Sequence, residues 1–506
     1  YSIVFLRFER FKCRTGLNIL AFDKGFALTS RTNIFYIFVG VWVLGSAFLF
    51  FNNVVSSSVA LLGLGIILIS AVPGLHYIGY GNHRRAPFFP LVGLFYVIFF
   101  GLPVFTISLA WPSDHIIKLY SATYVKEIRW EVLLLVIFGV ASMITGYLVS
   151  YKFLFDRLPR FKIEHRINRK NIKFLLWIIL TVHMVYLTVP VLKSIPSIGQ
   201  LLVPIGLVGF GGFFFLSFSK EMSPLENVLV WLVCLPLEFY FRITDLALTK
   251  PMLLLSFFLL LFWRQKLFKA LYIGVVSLLI IAFFYNAVQF LKTERDFGIT
   301  NFYSSYKAVV SFITEDEAKQ SRAPLSAISN LTRRTGQLWI FHFVDDVTPD
   351  KVPSWQGATY KPLLTSFIPR IIYPNKPEER TGYKFGYRYE IIDKSDSHIS
   401  INLPWITELM ANFGRFGVIW GMVLIGVFLS FLDRIFNAKE ASDLEFVIGL
   451  TIILPLIVPE SNFSLMVGSI LPLTICLYVY FRWGSWFLER LPFKTFKRSS
   501  VPKVPA

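Results

Sequence analysis

Long apolar segments separated by short polar ones run through most of the chain. Their lengths are close to the ~20 residues that a helix needs to cross a bilayer, and a helix satisfies its backbone hydrogen bonds internally in lipid. The pattern therefore predicts an all-α polytopic membrane protein with about twelve transmembrane helices. We expect these helices at residues 33–51, 54–75, 88–111, 131–151, 172–191, 201–218, 225–241, 249–263, 270–291, 415–432, 444–459 and 467–483.

Clusters of lysine and arginine occupy alternate polar segments. If the spans alternate as predicted, all of these clusters fall on one side of the membrane, and the positive-inside rule then places both termini in the cytoplasm. We expect the first span, not a cleavable signal peptide, to direct insertion. The clusters lie within residues 7–31, 83–85, 152–173, 264–269 and 482–498.

The alternation divides the chain into three parts. Residues 1–291 form an N-terminal membrane bundle of about nine spans, and residues 403–506 contribute about three more spans and a basic cytoplasmic tail. Residues 292–402 form one large extracytoplasmic loop with nearly balanced charge. The loop contains too many aromatic and apolar residues for disorder, so we expect a small helical subdomain on the outer membrane surface.

Composition supports the membrane interpretation and removes several others. The 506 residues are 55% hydrophobic and 16% charged, with a formal net charge of +19. Cationic loops beside an anionic leaflet account for that charge, and no nucleic-acid-binding motif is present. Cys13, Cys234 and Cys476 show no metal-ligand or disulfide spacing. No phosphate-binding loop, dinucleotide fingerprint or zinc motif is visible, so we expect neither a metal nor a cofactor.

A proline-rich segment in the loop carries cations in a rigid setting. Three prolines between Phe367 and Pro377 exclude a continuous helix and fix the path of the chain. Arg370, Lys376 and Arg380 are mounted on or beside this segment and suit the binding of a phosphate at the membrane surface. The alternative is a solvated loop with interfacial aromatics and snorkelling cations.

A second segment, 407–417, leads into a predicted span. Glu408 and Asn412 are four residues apart and so share one face of a helix. Gly417 and Gly421 have the spacing that permits close helix packing. A carboxylate at the mouth of a span is costly unless it is paired, hydrated or functional. Glu408 could therefore act in chemistry, or serve as a helix cap or a salt-bridge partner of Arg415.

Two adjacent arginines, Arg333 and Arg334, precede a glycine and could form an anion site. They could equally pair with Asp345 and Asp346 in a solvated turn.

Other candidates are isolated. Arg242 and Lys250 lie between two short spans on the outer side, where they are either functional charges or snorkelling cations. His398 precedes the C-terminal spans and could accept a proton if it lies near phosphate-binding arginines. Arg388 is a further cation of the loop.

The C-terminal half resembles the Wzy-type O-antigen and oligosaccharide-repeat-unit polymerases of bacterial inner membranes. The resemblance rests on the Pro-Arg and aromatic-Pro-Asn-Lys-Pro sequences within 367–377 and on Asn-Phe-Gly-x-x-Gly within 408–417. It implies a fold similar to the C-type glycosyltransferases. It also implies transfer of a growing glycan from undecaprenyl diphosphate to a new lipid-linked repeat unit, without a metal or other cofactor.

The resemblance also implies roles and partners. The acceptor hydroxyl needs a proton acceptor, for which Glu408, His398 and the pair Glu378 and Glu379 are candidates, and the resemblance does not choose among them. We expect Arg370 to stabilise the leaving diphosphate, since fixed cations favour a transition state in which negative charge grows. The partners are undecaprenyl-diphosphate-linked oligosaccharide, the lipid bilayer and a polysaccharide chain-length regulator, and nucleic acid is not expected. The substrate-binding candidates are Arg333, Arg334, Lys376, Arg380, Arg388, Arg242 and Lys250.

Three alternatives stay open. An O-antigen ligase passes the glycan to a lipid core and shares the donor and topology. A lipid-linked oligosaccharide flippase or other transporter should show internal pseudo-symmetry and intramembrane polar residues, which are not evident in the sequence. A non-enzymatic scaffold for polysaccharide assembly predicts that the loop arginines are individually dispensable.

Overall fold

The computed structural model describes residues 57–80, 84–106, 128–163, 169–195, 198–244, 249–267, 335–366, 381–393 and 400–490, together with positions 274, 368, 373, 376 and 380. Within these residues every regular element is a helix. Eight helices there are long and apolar enough to cross a membrane. The prediction of a helical membrane protein is confirmed at this level, and the number of twelve spans stays a prediction. The predicted spans 33–51 and 270–291 lie outside the described residues, apart from position 274.

Among the described residues, ten helices fall in the predicted N-terminal bundle. π-helical turns at Val97–Gly101, Ser150–Leu154 and Leu229–Cys234 continue or join several of them. The helices are α1 (Ser57–Tyr80), α2 (Phe88–Tyr96), α3 (Pro103–Thr106), α4 (Trp130–Val149), α5 (Arg169–Thr188), α6 (Pro190–Lys193), α7 (Ile198–Phe218), α8 (Pro224–Val228), α9 (Leu235–Thr244) and α10 (Thr249–Arg264).

Seven further helices follow in the described part of the C-terminal half. The predicted apolar runs of the loop form α11 and α12, and short 3-10 turns lie at Ala358–Tyr360 and Leu454–Ile457. The helices are α11 (Gln337–Val347), α12 (Leu363–Ser366), α13 (Thr381–Arg388), α14 (Trp405–Phe436), α15 (Asp443–Ile453), α16 (Phe463–Val467) and α17 (Ile470–Arg490).

Helices α4 and α14 pack against each other at the centre of the bundle. A Cβ on Gly146 would stand 2.3 Å from the Val423 carbonyl oxygen, and one on Gly426 would stand 2.0 Å from the Met143 carbonyl oxygen. Glycine at both positions therefore brings the two backbones into direct contact, as small residues do between membrane helices. At the same end of α4, beside Gly146, Tyr147 Oη donates a 2.7 Å hydrogen bond to Asp433.

The chain turns sharply within α14, at Gly414. This glycine has φ 69° and ψ −164°, a conformation that other residues rarely adopt. A Cβ on Gly421 would lie 2.2 Å from Leu409 Cδ2, although a straight helix would separate the two positions by about 18 Å. The segment Trp405–Phe413 therefore folds back onto the following helix. Gly417 and Gly421 make room for it, which is the close packing that their spacing predicts.

The described helix ends collect into two groups. Arg264 donates to the backbone oxygens of Arg84 and Ala441, each at 2.7 Å, and these residues share a cavity with Arg169. We call this the cation-rich end. The second group lies at the N-terminal end of α4, where Arg129 pairs with Asp345 of α11 at 2.6 Å. We call this the loop end, because the described parts of 335–366 lie there.

Candidate functional site

Glu408 lies at the loop end, in the first turn of α14, which begins after Pro404. Its side chain is completely buried. The carboxylate Oε2 accepts a 2.7 Å hydrogen bond from the Phe463 amide at the start of α16. One of the sequence alternatives is thus observed, since Glu408 caps a helix, although that helix is α16 and not its own.

Asn412 lies on the same helix face as Glu408, as the spacing predicts. Its Nδ2 donates to the Glu408 carbonyl at 2.8 Å and to Thr359 Oγ1 at 2.9 Å. Its Oδ1 accepts from the Gly357 amide at 3.0 Å. Asn412 therefore holds the 3-10 turn Ala358–Tyr360 against the base of α14.

Backbone groups strengthen the same junction. The amides of Trp355 and Gln356 donate to the carbonyls of Ala411 and Asn412 at 3.0 and 3.1 Å. These carbonyls lie just before Gly414, where the first helical segment of α14 ends and its carbonyls lack partners within the helix. The loop segment is thereby fixed above Glu408.

Tyr360 brings a phenol near Glu408. Burial raises the pKa of Tyr360 well above its usual value, and the negative charge of Glu408 raises it further. The phenol therefore stays protonated at neutral pH and can act only as a neutral hydrogen-bonding group. No described residue hydrogen-bonds to Tyr360 Oη, nor to the buried Trp405 Nε1 and Thr407 Oγ1.

A second acid, Glu460, joins the start of α10 to the segment before α14. Its two carboxylate oxygens accept from Thr249 Oγ1 at 3.1 Å and from Asn402 Nδ2 at 3.2 Å. Glu460 lies three residues before Phe463, the residue that Glu408 binds. The Glu408 and Glu460 carboxylates are thus held by one short segment.

Arg242 is a buried cation that is linked to this segment through the start of α10. It is 8% exposed. Its Nε donates to Glu238 Oε1 at 2.5 Å and its Nη1 donates to the Lys250 carbonyl at 3.3 Å. No described residue hydrogen-bonds to its buried Nη2. The side chain of Lys250 itself is exposed.

Glu238 also binds a buried histidine. Its Oε2 lies 2.6 Å from His183 Nε2, and His183 Nδ1 lies 2.8 Å from the Leu202 carbonyl oxygen. Because a carbonyl oxygen only accepts, His183 Nδ1 carries a proton. A second proton lies between Nε2 and Glu238. If it is on Nε2 the two residues form an ion pair, and if it is on the carboxyl group they form a neutral pair. Gly206 makes room for the ring, since a Cβ there would meet it at 2.4 Å.

The loop cations predicted to bind diphosphate occupy separate places. Lys376 Nζ donates to the Ser366 and Ile368 carbonyls at 2.9 and 3.3 Å, so it neutralises the C-terminal end of α12. Arg380 is exposed and immediately precedes α13. Arg388 donates to the Pro353 carbonyl at 2.6 Å and lies over the Trp355 ring. Their predicted convergence on one anion stays a prediction.

Six candidates lie outside the described residues and stay predictions: Arg333, Arg334, Arg370, Glu378, Glu379 and His398. The suggested partners of the first two have other contacts. Asp345 binds Arg129 at 2.6 Å and Arg415 at 2.9 Å, and Asp346 also pairs with Arg129. The salt bridge suggested between Arg415 and Glu408 is therefore wrong, because Arg415 points to Asp345.

Sequence reasoning missed His183, Glu238 and Glu460. A usable indication was present for Glu238, which lies four residues before Arg242 in an otherwise apolar helix and so shares its face. Glu460 stands alone between two apolar runs. For His183, only the folded chain brings its helix beside α9.

Comparison with known proteins identifies one match. Residues 117–454 match a family described as a domain of unknown function, DUF8712. No curated protein matches the chain, and no solved structure does.

Proposed function

Since the chain belongs to the DUF8712 family, whose description names no activity, we propose from its geometry and its sequence that it polymerises lipid-linked oligosaccharide repeat units. The observation that carries the proposal is the fully buried Glu408 carboxylate at the loop end. It lies where apolar helices meet the loop segment that carries Tyr360. That position suits a substrate with a polyprenyl tail in the bilayer and sugars outside it.

In the proposed reaction, a hydroxyl of the acceptor repeat unit attacks the anomeric carbon of the donor glycan. The bond between that carbon and the diphosphate oxygen breaks, and undecaprenyl diphosphate leaves. The Glu408 carboxylate, whose Oε2 accepts the Phe463 amide, takes the hydroxyl proton as a general base. Tyr360, which keeps its proton, positions the sugar.

Cations stabilise the departing diphosphate in this scheme. Arg242 is the described candidate, because it is buried and its Nη2 is not taken up by a described residue. Arg370, Arg333 and Arg334 remain predicted contributors from outside the described part of the chain. Preorganised donors of this kind act most strongly on charge that develops in the transition state.

The proposal includes a cellular setting. The protein spans a bacterial inner membrane many times, with the loop end outside and both termini in the cytoplasm. A polysaccharide chain-length regulator is the protein partner that this setting suggests.

The first test uses the purified full-length chain in liposomes with lipid-linked repeat unit as the only substrate. The wild-type protein should produce a ladder of polymer lengths, whereas a ligase would need an added lipid acceptor. Glu408→Gln should reduce the rate by about 10²–10⁴ because it removes the proton acceptor. Glu440→Gln, an exposed carboxylate at the cation-rich end, should leave the rate unchanged.

Thermal unfolding of both variants checks that each is folded. A folded Glu408→Gln protein that makes normal ladders would contradict the assignment of the base. Failure of the wild-type protein to extend the repeat unit, with transfer to a lipid core instead, would favour the ligase.

Transport is a second candidate, because His183, Glu238 and Arg242 form a buried charged triad between helices. Ionisable residues inside a membrane bundle often mark proton or substrate pathways. Glu238→Gln distinguishes the two functions. If the protein is a transporter, Glu238→Gln should abolish pH-gradient-dependent movement of lipid-linked glycan, and the wild-type protein should make no polymer.

A further inference from the structure

A cavity of about 740 Å³ opens at the cation-rich end, far along the helices from Glu408. Its inner wall is apolar and includes Leu176 of α5 and Phe215 of α7. The volume lies in the range of small-molecule sites. A polar rim surrounds its mouth and carries Arg84, Arg169, Arg264, Lys266, Glu221, Asp443 and Glu445.

The acids of the rim are occupied by contacts within the protein. Glu221 pairs with Arg169, and Asp443 pairs with Arg264 at 3.1 Å. Both oxygens of Glu445 accept backbone amides, from Ile163 at 3.0 Å and Ser442 at 2.9 Å. With four cations and three acids, the rim has a formal surplus of one positive charge.

Like Arg84 and Arg169, Lys266 is an exposed cation of this rim. Its backbone has φ 59°, a left-handed conformation that costs a lysine more than it would cost a glycine. Lys220, beyond the end of α7, has φ 55° but does not line the cavity. Both positions hold lysine although glycine would adopt this backbone conformation more easily, and only Lys266 lines the cavity.

An apolar interior below a cationic rim matches an amphiphile with an anionic head. Basic pockets between helices at the cytoplasmic side of membranes bind anionic phospholipid head groups in this way. The charge distribution predicts that the cation-rich end faces the anionic cytoplasmic leaflet.

We infer that this cavity binds the phosphate head group of an anionic phospholipid, with Lys266 at the phosphate and an acyl chain against Leu176 and Phe215. The inference is independent of the polymerase proposal, because the cavity and Glu408 lie at opposite ends of the bundle.

The experiment titrates the full-length protein, purified in a neutral detergent, with phosphatidylglycerol or with phosphatidylcholine of the same acyl chains. Native mass spectrometry measures bound lipid, and the thermal midpoint should rise with phosphatidylglycerol by mass action. Lys266→Gly should weaken phosphatidylglycerol binding about fivefold, the effect of one interfacial charge. Lys266→Asp should weaken it further.

Lys220→Gly is the matched control, since it makes the same change at the same backbone conformation outside the cavity. It should leave lipid binding unchanged. Equal losses in both glycine variants would overturn the inference, as would equal binding of phosphatidylcholine. A midpoint rise of the same size with inorganic phosphate alone would show a free anion site instead of a lipid site.

Discussion

At the residue scale, His342 provides a pH test of how the loop end is held together. This histidine is buried in α11, and the Arg129 amide faces its Nε2 at 3.5 Å. Its Nδ1 lies 4.0 Å from an Asp346 carboxylate oxygen. Burial lowers the pKa of His342, and Arg129 lowers it further, although Asp346 and Asp345 act in the opposite direction.

The unfolded chain therefore takes up a proton at about pH 6.5, where the folded chain does not. The contribution of His342 to the free energy of unfolding is fully present above pH 6.5. It is lost as the pH falls below 6.5, by at most about 1.4 kcal/mol per pH unit. Thermal midpoints between pH 8 and pH 5.5 measure this loss. His342→Gln should show a shallower fall than the wild-type protein, and parallel curves would contradict this explanation.

The sequence predicts local features of the site well and its long-range contacts poorly. Glu408 and Asn412 share a helix face because four-residue spacing determines this without knowledge of the fold. The contact of Glu408 with Phe463, in contrast, joins residues 55 apart in the chain. The expected convergence of loop cations also depended on the tertiary path, and Lys376 instead binds carbonyls of α12.

At the element scale, the contact between α4 and α14 depends on the absence of a side chain. Gly146→Ala would place a Cβ 2.3 Å from a backbone oxygen, which cannot rotate away. We expect a loss of about 1–3 kcal/mol in the free energy of unfolding. Gly74→Ala in α1 is the control, because nothing lies within 4 Å of its Cβ position.

The control should be neutral or stabilising by about 0.5–1 kcal/mol, the ordinary gain for alanine in a helix. Thermal or denaturant unfolding in the same detergent compares the two variants. A tolerated Gly146→Ala would mean that the helices separate without cost and that their contact is not tight.

Hydropathy predicts where most helices lie but not where α14 begins. The apolar run suggests a start at residue 415, which agrees with the second helical segment after the kink at Gly414, but it does not predict the first segment, Trp405–Phe413. The intervening Thr407, Glu408 and Asn412 are polar, so they interrupt the hydropathy run although they are buried. The predicted span 444–459 is shorter in the structure, since α15 has 11 residues, whereas the 16 residues of α10 agree with the predicted span 249–263.

At the scale of the whole molecule, loop charge predicts which helix ends lie together. The clusters around Arg84, Arg169 and Arg264 are far apart in the sequence, yet all three line one cavity. This grouping is what the positive-inside rule predicts when an even number of spans separates one cluster from the next. Packing partners such as α4 and α14 could not be predicted, because apolar faces in lipid resemble one another and small residues select the contact.

Labelling of single cysteines tests the orientation of the bundle. The three native cysteines would first be replaced by serine, and one cysteine would then be introduced at Lys384 in α13 or at Lys439 at the cation-rich end, both exposed positions. If positive charge retains the cation-rich end in the cytoplasm, a membrane-impermeant maleimide should label Lys384→Cys in intact cells. Lys439→Cys should be labelled only after lysis. The reverse pattern would place Glu408 on the cytoplasmic side and would remove the extracytoplasmic polymerase, while the phospholipid site would have to face the outer leaflet.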